Sequence, residues 1–143
     1  MPINRAPPPP NAAMAVAASA LKAQQSRMRV IAENIANASS TAQTAGGDPY
    51  RRQVPVFRPD GKVAQGADGV KIARVAPDMK DFRVVYDPGH PAADDKGYVK
   101  LPNVDTLVEA LDMKEAQRAY EANLNVIETA RSMESRTLDI LRK

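Results

Sequence analysis

The chain has 143 residues, 43% of them hydrophobic but only 4% aromatic, with no Trp and no Cys. Length alone points to one domain. The missing cysteines exclude a disulfide framework, a thiolate nucleophile and a Cys-based zinc site, and His90, the single histidine, has no second imidazole for a His-pair metal site. The net charge of +3 and the pI near 9.3 are mild. The basic excess lies in the first third and the C-terminal segment is slightly acidic, a field that steers pairing of the ends without deciding a fold.

Residues 1–13 carry five prolines and no helical pattern, which predicts a mobile tail, partly polyproline II. It has no apolar signal-peptide core, so export, if any, proceeds without a cleaved leader. From Met14 a heptad begins. Met14, Leu21, Met28 and Ile35 stand seven apart, and Ala17, Gln24, Ile31 and Ala38 fill the seam between them. The Ala-rich run has neither Gly nor Pro up to Asn37. Ser39, Ser40, Gly46, Gly47 and Pro49 then close an element of helix plus loop over 14–45.

The segment 46–101 changes character, holding five of the six aromatics. Strands are predicted at 52–57, 69–75 and 82–86, with turns at Pro59-Asp60-Gly61 and Pro77-Asp78. Pro55 marks an edge strand. Asp87 to Pro91 reads as a turn, and Asp94 to Tyr98 as continuing loop. The C-terminal helix segment follows over 102–143, with Asn103 as the N-cap and Asp105 and Glu109 favoured by the helix dipole. One stripe runs through Tyr120, Leu124, Ile127, Arg131, Glu134, Leu138 and Leu141, and another through Val126, Ala130, Met133, Thr137 and Ile140.

The expected class is therefore α+β: two long terminal helices pairing as a coiled-coil-like domain, with a small β-rich middle insertion. A compact chain of this length has a diameter of roughly 37 Å, whereas the C-terminal helix would be about 60 Å long. One antiparallel partner covers one stripe per helix. The remaining apolar stripe is left for another molecule, because burial stabilises by about 25 cal/mol per Å². The rival structural reading is a kinked helix folded back into a closed bundle.

Five blocks, in order, carry a resemblance. They are Ala20-Leu21 through Arg27 to Val30-Ile31-Ala32-Glu33-Asn34-Ile35-Ala36-Asn37; Gly47-Asp48-Pro49-Tyr50-Arg51-Arg52; Val85 through Asp94; Gly97-Tyr98-Val99 with Pro102-Asn103-Val104; and Ala116 with Arg118-Ala119-Tyr120-Glu121-Ala122-Asn123. Together they resemble the flagellar rod and hook axial protein family, and within it the proximal-rod members. The proline-rich start is longer than the family pattern, and Glu109-Ala110 stands where Glu-Met is common. The resemblance implies a subunit exported through the flagellar type III apparatus, residing in the basal body of the cell envelope and periplasm. It implies terminal helices that form the inner tube of a hollow drive shaft. Its implied partners are further copies, other rod proteins, the adaptor to the MS ring and the export apparatus.

The expected assembly interface comprises Leu21, Met28, Ile31 and Ile35 of the first helix and Tyr120, Leu124, Ile127, Leu138 and Leu141 of the second. Three amides join them: Asn34, Asn37 and Asn123. An amide donates and accepts, so across an interface it sets register. Spacing alone favours the plainer reading, in which Asn37 ends its helix and Asn34 faces water. No catalytic residue, cofactor, metal or small-molecule substrate is expected. His90 with Asp87 lacks a nucleophile at recognisable spacing, and Asp94-Asp95 lacks the EF-hand pattern. The alternative function is a basic nucleic-acid-binding helical protein, resting on the pI and Arg51-Arg52.

Overall fold

The computed structural model describes residues 10–64 and 66–142. Six elements run along them: helix α1 (Pro10–Ala36), strands β1 (Gln53–Ala64), β2 (Ala67–Pro77), β3 (Arg83–Tyr86) and β4 (Tyr98–Leu101), and helix α2 (Thr106–Leu141). This is the expected α+β class. Most of the predicted tail, residues 1–9, lies outside the described residues, but 10–13 are helical. Pro10 takes the first helical position, where its missing N–H would have had no intrahelical partner and its φ is already suitable.

The end of α1 is set by Asn37, whose Nδ2 donates to the Glu33 carbonyl at 2.9 Å and whose Oδ1 accepts from Ser40 Oγ at 3.0 Å. The helix α2 starts later than predicted. Its cap is Asp105, not Asn103: Asp105 Oδ1 accepts from the N–H groups of Leu107 and Val108 at 3.0 and 3.4 Å, the usual N-cap bonds.

The middle departs from its predicted turns. Pro59-Asp60-Gly61 lies inside β1, and the chain reverses at Gly66, where φ is 76°. Two prolines fit within β1 because β1 and β2 form a two-stranded sheet, leaving each strand one edge with no ladder bond to lose. The expected loop around Tyr98 is instead β4, antiparallel to β3 with Tyr86 opposite Tyr98 and Val84 opposite Lys100. The long connection hides this pairing from a hairpin search. It is tied by Asp87 N–H to the Gly97 carbonyl at 2.9 Å and by Asp94 Oδ1, which accepts from the N–H groups of Lys96 and Tyr98. Those main-chain bonds, Tyr98 first, hold the Asp94 carboxyl below its ordinary pKa.

The chain forms two compact units. One contains residues 10–26, 57–73 and 116–142, the other 27–56 and 74–115. In the first, the buried apolar side chains among the described residues are alanines: Ala12, Ala17, Ala23, Ala116 and Ala130. Backbones accordingly come close. The Val70 N–H donates to Ser19 Oγ at 3.1 Å, and a Cβ on Gly69 would stand 2.5 Å from Val63 Cγ1 and 2.8 Å from Ser19 Oγ. In the second unit Val30, Ile31, Ala92, Val99, Pro102 and Val104 are buried together with Asn34 and Glu109.

The heptad seam describes only one edge of the buried face of α1. Ala17 and Ile31 are buried, Met14, Leu21, Gln24 and Met28 half-buried, and Ile35 is exposed. Ala23, Val30 and Asn34, outside the seam, are buried instead. The seam assumed one helical partner, but strands cover a second side, as the Ser19–Val70 and Asn34–Gln53 bonds show.

Candidate assembly site

The densest polar constellation sits in the second unit, at the start of β1. Asn34 is 1% exposed. Its amide makes a two-pointed pair with the peptide groups of Gln53: the Gln53 N–H donates to Oδ1 at 2.9 Å, and Nδ2 donates to the Gln53 carbonyl at 2.8 Å. In effect the side chain replaces a neighbouring strand. Tyr50 OH donates to the same Oδ1 at 2.8 Å. Burial, then the charges of Glu33 and Glu109, push the Tyr50 phenol up from its ordinary pKa, which keeps the hydroxyl a donor.

Asn103 does the same for the preceding residue. Its Oδ1 accepts from the Arg52 N–H at 2.8 Å, and its Nδ2 donates to the carbonyls of Asp78 and Lys80 at 2.9 and 3.1 Å. Residues 52 and 53 are thus gripped by two amides, one from α1 and one from the approach to α2.

The Arg52 guanidinium is the hub of the charges. Its Nε donates to Glu109 Oε1, Nη1 to Asp78 Oδ2 at 3.2 Å and Nη2 to Asp112 Oδ2 at 3.5 Å. Glu109 is fully buried, and its other oxygen accepts from Asn34 Nδ2 at 3.4 Å. A buried carboxylate persists only when paired and hydrogen-bonded, and both conditions are met. Burial lowers the Arg52 pKa, but Glu109 and then Asp78 more than reverse it. The Asp78 carboxyl is held below its ordinary value first by the Lys80 N–H, against burial and with help from Arg52. Arg51, beside the hub, donates to the Asp78 and Lys80 carbonyls and lies over the Phe82 ring at 4.1 Å. The Arg51-Arg52 pair is therefore engaged inside the fold and makes no free basic patch for nucleic acid.

The second constituent is apolar and outward. On α2, Leu107, Val108 and Leu111 are exposed near its start, and Met133, Leu138, Ile140 and Leu141 near its end. Every residue from 131 to 142 is exposed.

Comparison with known proteins decides the family. A model described as flagella basal body rod protein matches residues 14–42, and one described as flagellar basal body rod FlgEFG protein C-terminal matches 95–140. The flagellar basal-body rod protein FlgC of Agrobacterium fabrum is 46% identical over 94% of this chain and 96% of its own. The chain belongs to the FlgC family. The FlgC proteins of Salmonella typhimurium and Bacillus subtilis are 43% and 36% identical, each over 87% of this chain. As a FlgC-family protein the chain is a structural subunit of the flagellar basal-body rod, located in the cell envelope, and it assembles with other basal-body components.

Within this FlgC-family chain the predicted interface residues fall into three groups. Ile35, Leu124, Leu138 and Leu141 are exposed; Leu21, Met28, Asn37, Tyr120, Asn123 and Ile127 are half-buried; Ile31 and Asn34 are buried. The three amides do not meet. Asn34 is an internal pin, Asn37 ends its own helix, and Asn123 Nδ2 donates to the Ala119 carbonyl one turn back at 2.7 Å. The sequence reading missed Arg52, Asn103 and Glu109 as a unit. His90 acts in its turn, its Nδ1 accepting from the Ala92 N–H at 3.0 Å.

Proposed function

We propose that this chain polymerises through its terminal helices into the proximal part of the rod, a hollow shaft that transmits torque and passes exported subunits. The carrying observation is the uncovered end of α2: twelve consecutive exposed residues, among them Met133, Leu138, Ile140 and Leu141, from 54% to 75% exposed. Burying such side chains stabilises by about 1.5–3 kcal/mol each, so association is favoured wherever a neighbour offers an apolar groove. The partners in this reading are further copies, other rod proteins, the adaptor to the MS ring and the type III export apparatus. The role is mechanical, without catalysis, cofactor, nucleic acid or small-molecule substrate.

In this reading Ile35, Leu124, Leu138 and Leu141 contact neighbours directly. Leu21, Met28, Ile31, Tyr120 and Ile127 hold the helices that present them, and Asn34, Asn37 and Asn123 fix helix position and ends. The test is a chain ending after Thr129, expressed in a strain lacking the wild-type protein. Loss of motility and absence of the rod from isolated basal bodies is expected. Intact rods built from the shortened chain would overturn the proposal.

A further inference from the structure

We infer that the exposed tyrosine pair of the β3–β4 sheet receives the proline-rich segment 5–9 of a neighbouring copy, a docking that takes its neighbour from the polymer reading above. The sheet has two faces. Val99 is buried on one. The other carries Val84, Tyr86, Tyr98 and Lys100, because residues opposite each other share a face and successive residues alternate. Val84, Tyr86 and Tyr98 are 56%, 67% and 45% exposed. The two rings stand edge to face with centroids 5.3 Å apart, and the Tyr86 ring lies so close to Gly97 that a Cβ there would come within 2.9 Å of it. The pair is therefore held in place yet uncovered. Among the described residues neither phenol is hydrogen-bonded. Around the rings Asp87, Asp94 and Asp95 stand against Lys96, all four exposed and outside any ion pair among the described residues. Lys100 is held by Asp48 at 3.2 Å, so the surroundings of the pair are acidic.

The sequence holds an occupant that the helix contacts leave unused. Arg5-Ala6-Pro7-Pro8-Pro9 directly precedes Pro10, the first residue of α1. In the polymer reading α1 packs against neighbouring copies, which delivers its leading segment to a neighbour. A proline run has polyproline II as its low-cost form, so docking it on aromatic rings loses little entropy. Prolines have no N–H and their carbonyls only accept, which suits two phenols with a hydrogen to donate. At three residues per turn and about 3.1 Å per residue, positions 5 and 8 share one edge about 9 Å apart. Pro8 then lies against the rings while Arg5 reaches the carboxylates. Such a contact is small, but between copies already joined by their helices the tethered segment acts at high effective concentration.

The first test uses the isolated chain carrying Arg5→Ser, Pro7→Ser, Pro8→Ser and Pro9→Ser, so that its own segment does not compete. Titrated with a synthetic peptide of residues 1–10, it is expected to show saturable NMR shifts at Val84, Tyr86, Gly97 and Tyr98. Adding Tyr86→Ala with Tyr98→Ala should weaken binding at least tenfold, and Asp87→Asn with Asp95→Asn should weaken it and flatten its salt dependence. Circular dichroism checks that each variant keeps its helix content. Absence of saturable shifts, or shifts that persist without the two rings, would overturn the docking. The second test exploits the cysteine-free sequence: Pro9→Cys with Val84→Cys in one chain should give covalent dimers on mild oxidation of isolated basal bodies. A disulfide closed within one chain, or none, would overturn docking on a neighbour. Because peptide binding is read on the isolated chain, its failure leaves the polymer reading standing. Intact rods built from the chain ending after Thr129 would strike that reading without altering the peptide result.

Discussion

Replacing Asn34 by Ala removes an amide that is 1% exposed and satisfies three groups at 2.8–2.9 Å: the Gln53 N–H, the Gln53 carbonyl and the Tyr50 hydroxyl. Each orphaned buried group costs about 1–3 kcal/mol. Gln53 and Tyr50 are only half-buried, so water recovers part of that, and a total of roughly 3 kcal/mol is expected. Asn37→Ala loses bonds within one exposed helix end and should cost under about 1 kcal/mol. With an m-value of about 2 kcal/mol/M, urea unfolding of the purified chain, followed by tyrosine fluorescence, should show a midpoint about 1.5 M lower for the first variant. For the second the midpoint should move by less than about 0.5 M. Asn34→Asp keeps the shape but loses the Nδ2 donor and sets a second carboxylate near Glu109, so it should be no better than the alanine variant. Equal midpoints for the two alanine variants would refute the claim that Asn34 is an internal pin.

Arg52→Met leaves Glu109 buried with its main partner gone and should destabilise by about 3–5 kcal/mol, read from the same urea titration. Adding Glu109→Leu should recover part of the loss. Acid should weaken the fold through Asp78. Its pKa is depressed in the folded chain, so the unfolded chain binds the proton more readily; the contribution is complete above the ordinary carboxylate pKa near 4 and is lost as pH falls through the folded value. Unfolding midpoints measured between pH 6 and 2 should fall at the acid end, and Asp78→Asn should flatten that fall. Gly69→Ala brings a Cβ within 2.5 Å of Val63 and should lower stability by about 1–3 kcal/mol, with amide exchange speeding up at Val70.

Element existence was legible because periodicity reports it: α1 and α2 follow from unbroken apolar spacing, and β3 from alternation. Boundaries and turns were not. Pro59-Asp60-Gly61 has the composition of a turn, yet a strand with a free edge tolerates it. Tyr98 to Leu101 pairs with β3 only after a connection tied by bonds that no local pattern announces. The polar site was half-visible. Asn34 stood out by type and position, but which side of α1 is buried depends on strands that pack where the heptad expected solvent. Asn103 looked like a cap because a polar residue before a helix normally is one, and Asp105 two positions later serves that role with better geometry.

The two amides that clasp Gln53 and Arg52 also determine how a sliding force would travel. Contact between greasy surfaces has no preferred direction, so apolar neighbours can creep past one another with little resistance. Hydrogen bonds are directional and short-ranged. A pull along α1 reaches β1 through the Asn34–Gln53 pair and Tyr50 together, so these bonds must lengthen in concert before the helix shifts by even one residue. That junction behaves as a shear key: stiff up to a threshold and brittle beyond it.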